Sequence, residues 1–447
     1  MKCIHAAALA VLLVLPAAPS LAQAQKSPTE RIDELERKLE QSLRMIEQLS
    51  GEVARLRGAS ATQADPQARE RDAQQNVKIE GLERQLEQIA QANEARTGLR
   101  LAGVPLHGFA DIGAGYSREA NRFQSGSKGF NVGSFSLYLT PEFGPRLKGL
   151  AELVFEVDRN GDLAIDFERL QLGYTFSDAA TLWGGRFHTP YGYWNTAFHH
   201  GQQIQTSLSR PRFLEFEDRG GILPSHAVGA WLTGSLPLGG ARIGYDLYAA
   251  NGPRIAIDGA APVPGGTLNP NVGGDDNHSA KIGFRAALAP RGALDGLKLG
   301  VFALRAGVHD DSAALNRTRL LSYGAYAAFD NERWEILSEY YRFRNRDLSG
   351  ASGTHQSSAW YAQLAYDTGA VTPYLRVERA KLDQTDNYFA MQNSGRSYSS
   401  AAIGLRIDLS PTAALKFEAG RTNLRNVLIG GGNDRFGELR TQFSVRF

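Results

Sequence analysis

The chain has 447 residues, 49 basic and 47 acidic, a formal net charge of +2 and one cysteine. Balanced charge gives no global field for nucleic acid, and a lone Cys3 excludes an internal disulfide framework. Mean hydropathy is below zero. After the first residues no apolar run approaches the ~20 that a membrane helix needs, which excludes a helical membrane protein. It does not exclude a barrel, whose lipid-facing and water-facing residues alternate and average out.

Residues 1–24 read as a secretory signal. Lys2 is the charged start, Ala6 to Ala18 the apolar stretch, and Ser20-Leu21-Ala22 and Ala22-Gln23-Ala24 are small-x-small cleavage sites. Cys3 precedes the apolar stretch and would be removed with it, so the mature chain would carry neither a lipoprotein anchor nor a Cys-based metal site.

Residues 25–100 form a segment of helical character. Ile32, Leu35, Leu39, Ser42, Ile46, Leu49, Val53 and Leu56 step by three and four alternately, four heptads with one polar d position. Pro28 and Thr29 sit where a helix start is expected, and Gly58 to Pro66 breaks the run. A second, out-of-phase seam follows at Ile79, Leu82, Leu86, Ile89 and Asn93, and Gly98 ends it. The pattern fits an oligomerising coiled coil better than a solvated helix pair. Ile or Val at a with Leu at d points to two strands, and Ser42 and Asn93 relax that preference.

From residue 101 to 447 the period becomes 2. Sixteen strands are expected: 106–117, 130–139, 147–157, 165–176, 180–187, 226–237, 240–250, 279–289, 296–307, 318–330, 332–343, 357–367, 370–380, 400–410, 412–423 and 436–447. Ala151, Leu153, Phe155 and Val157 oppose Glu152 and Glu156. Ile403, Leu405, Ile407 and Leu409 oppose Arg406 and Asp408. The facing of 332–343 stays open, because Glu335, Glu339 and Tyr341 share a parity. Connections after even strands are short, such as Leu238-Gly239 and Pro411. Those after odd strands are mostly long, such as 188–225, 251–278 and 381–399. Outer-membrane barrels have short periplasmic turns and long external loops. An even strand count puts both ends of the barrel, and the helical segment, in the periplasm.

The last strand, Leu439 to Phe447, alternates Leu439, Thr441, Phe443, Val445 and Phe447 with Arg440, Gln442, Ser444 and Arg446 and stops on the aromatic. It resembles the closing strand of bacterial outer-membrane barrels. With the coiled-coil leader and a barrel opening at Leu106-His-Gly-Phe-Ala-Asp111, the chain looks most like the phosphate-selective porins of Gram-negative bacteria. The resemblance implies an all-β fold: a sixteen-stranded antiparallel transmembrane β-barrel, forming a homotrimer among membrane lipids and lipopolysaccharide. It implies passive diffusion of small hydrophilic solutes or anions. The helical segment would clamp the trimer or touch the cell wall. The competing reading is a cell-envelope tether or adhesin anchored by the barrel.

A lumen of this width is not filled by wall side chains. In trimeric porins the third external loop folds inward, and by that resemblance the constriction candidates are Tyr191, Tyr193, Trp194, His199, His200, Gln202, Gln203, Arg210, Arg212, Glu215, Glu217, Asp218 and Arg219. The alternative is a loop lying over the outside or at a trimer contact. Facing charges of opposite sign would set a transverse field, and the same charges would also serve to rigidify the loop by pairing. Inward parity adds Arg169, Arg242, Arg285, Arg376, Arg406, Arg440 and Arg446 to the wall, opposed by Asp111, Glu152, Glu156, Asp246, Glu378 and Asp408. That balance implies weak anion preference at most.

Other chemistry is thin. His188, His199, His200 and His226 cluster in sequence without a metal-ligand spacing. No nucleophile motif accompanies the serines and histidines. Asp158-Arg-Asn-Gly-Asp162 is an incomplete calcium loop and reads as an external turn. No enzyme activity, cofactor or metal is expected.

Overall fold

The computed structural model describes residues 100–101 and 104–447, apart from 119–127, 158–162, 199–201, 218, 259–264, 272, 276–278, 313 and 428–431. The signal segment, both helical seams, the 158–162 turn, His199, His200 and Asp218 lie outside the described residues.

The rest is a closed antiparallel barrel of sixteen strands. They are β1 (Val104–Arg118), β2 (Gly129–Leu139), β3 (Leu147–Val157), β4 (Leu163–Ser177), β5 (Ala180–His188), β6 (His226–Leu238), β7 (Ala241–Ala250) and β8 (Lys281–Pro290). There follow β9 (Leu297–Asp310), β10 (Arg317–Asp330), β11 (Trp334–Asp347), β12 (Thr354–Tyr366), β13 (Thr372–Lys381), β14 (Tyr398–Ser410), β15 (Ala413–Leu424) and β16 (Asp434–Arg446). Each pairs with its sequence neighbour, and β16 returns to β1 with Arg440 opposite Gly115 and Ser444 opposite Asp111. Among the described residues the barrel leaves no open sheet edge, and so none of the cost of several kcal/mol that an unpaired backbone group carries away from water.

Several strands run beyond the expected spans on the long-loop side. There the outward residues turn polar, so an apolar alternation under-reads them. β12, for example, begins at Thr354 and carries Gln356 and Ser358 outward.

On β11, Glu335, Leu337, Glu339, Tyr341 and Phe343 point inward, while Trp334, Ile336 and Tyr340 face out. The parity is readable only because β11 meets an apolar partner inside the lumen. Phe302, Tyr341, Phe343 and Tyr361 of the wall are buried against Tyr191, Trp194, Phe213 and Leu214 of the segment between β5 and β6. A packed core therefore stands inside the barrel against β9, β11 and β12. Full burial of each large apolar side chain there contributes about 2 kcal/mol.

That segment carries α1 (Trp194–Ala197). The loop between β13 and β14 also turns inward through α2 (Asn387–Ala390), where Asp386 caps the first turn. Tyr388 donates its hydroxyl to the Ile222 carbonyl at 2.6 Å, and Phe389 meets Phe343 edge-on at 5.2 Å. A hairpin of Arg254–Asp258 and Gly265–Asn269 joins this loop through Gly266 N to Met391 O at 2.8 Å.

Candidate functional site

The third long loop, 189–225, owes its position to charged wall residues aimed at its backbone. Glu339 on β11 accepts the amides of Tyr193 (3.0 Å) and Trp194 (2.8 Å) and the hydroxyls of Tyr341 (2.7 Å) and Tyr361 (2.8 Å). Arg376 on β13 donates to Ser209 O and Ser209 Oγ, both at 2.6 Å, and to Arg210 O at 3.2 Å. Glu378 takes the Arg212 amide at 2.7 Å and the Tyr398 hydroxyl at 2.8 Å. Arg406 on β14 donates to the Gln203 and Gln205 carbonyls at 2.6 and 2.9 Å. On β15, Lys416 reaches the Gln202 and Gln205 carbonyls, and Glu418 takes Ser209 Oγ at 2.5 Å.

These groups replace the partners that an irregular backbone inside a barrel would otherwise lack. Buried charges survive only when their hydrogen bonds are met, and here loop backbone meets them. Arg376, Glu378 and Arg406, expected as pore wall, thus hold the loop. Arg285 joins them, bridging Asp246 (2.7 Å), Gly192 O (2.9 Å) and Thr196 Oγ1 (2.6 Å).

The expected constriction residues divide. Tyr191 and Trp194 are buried in the loop core, Tyr191 sharing a hydrogen bond with Ser225 Oγ at 3.2 Å. Burial pushes the Tyr193 phenol up to about 12. Arg210 is 5% exposed, stacked on Phe216 at 4.1 Å and donating to Leu214 O at 3.0 Å. Arg212 lies over Tyr398 and Phe436. Burial lowers both guanidiniums from their usual range. Glu217 is also buried. Burial would raise its carboxyl, but His226, whose Nδ1 lies at 2.8 Å, pulls it below the ordinary value.

A second polar cluster sits beside the loop's start. His226 faces Glu217 through Nδ1 and Glu168 through Nε2 at 2.5 Å. Arg169 and His188 both approach the buried Glu152, at 2.5 and 3.6 Å. Lys281 donates to His226 O at 2.6 Å and Thr189 Oγ1 at 3.2 Å.

A cavity lies between the loop and β1–β3 and β16. It is polar, with a volume of about 290 Å³. Its charged lining is Asp111, Glu156, Glu215 and Glu438 against Arg219, Arg440 and the mostly covered Arg210. Arg219 pairs with Glu156 at 2.5 Å, across from the wall to the loop, and Arg440 with Glu438 at 2.7 Å. Asp111 accepts from Ser134 Oγ (2.9 Å) and Gln442 Nε2 (3.1 Å). Gln202 and Ser209 complete the loop side. Arg242 and Arg446 face inward near the short-turn rim, Arg446 donating to Pro411 O at 3.2 Å. Asp408 sits lower on β14, paired with Arg406 at 2.7 Å.

Glu339, Lys416, Glu418, Glu438 and Lys281 were not among the expected site residues. The inward parity of β15 and β16 already offered Lys416, Glu418 and Glu438, in phase with Arg440.

No family model matches the chain, and no curated protein matches it. Among solved structures it is similar to an anion-selective porin from Comamonas acidovorans, at 13% identity and a TM-score of 0.51, over 77% of this chain and 99% of that one. The outer membrane channel DcaP of Acinetobacter baumannii aligns at 13% identity and TM-score 0.49, over 78% and 99% of the two chains. Salmonella typhi OmpF in complex with daunomycin aligns at 12% identity and TM-score 0.46, over 77% and 97%. The Comamonas likeness places the fold with the porin barrels.

Proposed function

We propose that this protein is an outer-membrane channel for passive diffusion of small hydrophilic solutes. The observation that carries the reading is the loop 189–225, pinned inside the barrel by Glu339, Arg376, Glu378, Arg406 and Lys416 of β11 and β13–β15. A closed plug would have no use for a charged, polar gap between the loop and the wall. A selective pore needs one.

The lining argues for weak selectivity. Arg219 and Arg440 each have a carboxylate partner, while the side chain of Glu215 forms no ion pair among the described residues. Phosphate specificity would require convergent unpaired cations at this point, so a general porin with at most slight cation preference fits better than a phosphate channel. The unmatched signs across the gap set a transverse field that orients polar solutes.

The outward faces of β1–β5 support a homotrimer. They expose Ile112, Phe130, Val132, Leu163, Ile165 and Phe167, with Lys128 over the Tyr116 ring at the long-loop end, a surface fit for a second copy. Residues 25–100 would stand in the periplasm as a clamp on that trimer. Purified full-length protein in a planar bilayer should give stepwise conductance. A folded, inserted barrel that never conducts would leave only the anchored-tether reading.

A further inference from the structure

The outward face of β9–β13 changes character near the long-loop rim. On β11 its positions run Trp334, Ile336 and Tyr340, then Arg342, Arg344 and Arg346. On β13 they run Leu375 and Val377, then Arg379 and Lys381. The eight-residue step from Trp334 to Arg342, at about 3.3 Å rise and a tilt near 40°, spans roughly 20 Å along the barrel axis. The basic row therefore begins where hydrocarbon gives way to headgroups.

The row is held against its own repulsion. Arg319 on β10 lies directly opposite Arg346 on β11, and directly opposed like charges on neighbouring strands are destabilising. Among the described residues no carboxylate pairs with Arg319, Arg342, Arg344, Arg346 or Arg379. Their outward neighbours on β12, namely Thr354, Gln356 and Ser358, are neutral. At the same rim β2 and β4 expose Phe130 and Leu163 instead. Arg421 on β15 and Arg435 on β16 also face out at this rim, but they lie opposite Gly437 and Asn423, so neither faces a second arginine across the ladder as Arg319 and Arg346 do.

We propose that the arginines of β10 and β11, extended by Arg379 and Lys381, bind the phosphates of a multiply phosphorylated lipid headgroup in the surrounding leaflet. Guanidinium forks match phosphate oxygens bidentately, and several forks in a row fit a headgroup with more than one phosphate. The proposal rests on the outer-membrane reading above.

The test uses full-length protein in phosphatidylcholine vesicles containing bisphosphorylated lipid A, monophosphorylated lipid A or neither. Lipid retention by native mass spectrometry and the temperature of barrel melting are read together. The bisphosphorylated lipid should be retained best and raise melting most. In Arg319→Gln/Arg346→Gln retention should fall roughly tenfold or more, with Arg319→Lys/Arg346→Lys recovering part of it. The charge-matched control Arg146→Gln/Arg333→Gln, exposed at the opposite rim, should bind as the parent does. Equal retention of all three vesicle types, or no loss in the glutamine pair, would overturn the proposal. Equal stabilisation by inorganic phosphate alone would also overturn it, as a site for a soluble anion. Protein that fails to insert counts against the channel reading. Inserted, conducting protein without headgroup preference counts against this proposal alone.

Discussion

Gly108 and Phe447 exchange both backbone hydrogen bonds, Gly108 N to Phe447 O at 2.9 Å and Phe447 N to Gly108 O at 3.0 Å. The last residue of the chain thereby completes the barrel seam. Its ring stacks on Phe135 at 5.8 Å and covers the place where a Cβ on residue 108 would sit. That Cβ would also lie 2.7 Å from the Ser136 carbonyl, which backbone cannot yield cheaply. We expect Gly108→Val to cost about 1–3 kcal/mol through overpacking, read as a lower melting temperature of the folded band on a cold gel. Gly184→Val, where the added Cβ meets nothing within 4 Å, is the comparison. Equal melting of the two variants would show that the seam has no special demand at 108.

Glu339 is the acceptor for two loop amides and two tyrosine hydroxyls. Glu339→Leu leaves four donors without it, and a buried donor without a partner costs about 1–3 kcal/mol. The loop should loosen, with conductance rising and proteolysis appearing between Tyr193 and Arg219. Unchanged conductance together with an intact loop would assign the hold to the aromatic core instead. Ser322→Ala, on neighbouring β10 and buried without a hydrogen-bond partner among the described residues, removes no hydrogen bond to the loop and should leave it in place.

How much of this was legible in the sequence depends on which side a residue faces. Outward residues announced the barrel, because lipid demands apolar side chains at period 2 on every strand. Phe443 and Leu439 needed no partner to be read. Inward residues followed by parity, as with Arg376 and Asp246, but parity says nothing of what they touch. Arg376 meets loop backbone 167 residues away in sequence, a relation that no local pattern carries. The same holds for Arg210. It looked like a pore charge, yet Phe216 and Leu214 O enclose it. The facing of β11 was unreadable because Glu339 and Tyr341 share a face. A carboxylate beside an aromatic makes sense only once Trp194 is placed between them and the water. The inward loop with α2 was missed for a similar reason, since Tyr388 and Phe389 had no visible partner until Ile222 and Phe343 met them.

Glu217 gives a pH dependence. Its carboxyl is held below its ordinary value by His226 despite burial. A depressed folded value means that its contribution is present above the unfolded value and is lost as pH falls through the folded one. The end of the loop near Ser225 should stay anchored at neutral pH and release in acid, below about pH 4. Single-channel noise recorded on lowering the pH reads this. Glu217→Gln, which cannot gain the charge, should start noisier at neutral pH and change less on acidification. Identical acid responses in parent and variant would move the transition to another group.

The sign of the gap is testable one charge at a time. Glu215 lines the cavity with no ion-pair partner among the described residues, while Arg219 is spent on Glu156 across the cavity at 2.5 Å. Removing an unpaired charge changes the field fully. Removing one member of a pair also exposes the other, so Arg219→Gln acts as the loss of a cation and the release of a carboxylate. In a salt gradient Glu215→Gln should shift the reversal potential toward anions. Arg219→Gln should shift it toward cations by a larger amount, and the double variant Arg219→Gln/Glu156→Gln should return close to the parent. Arg210→Gln should shift it least, because that guanidinium is 5% exposed and turned into the loop. A shift for Arg210→Gln as large as that for Arg219→Gln would mean that the loop opens in the conducting channel and that its buried cation faces the solute.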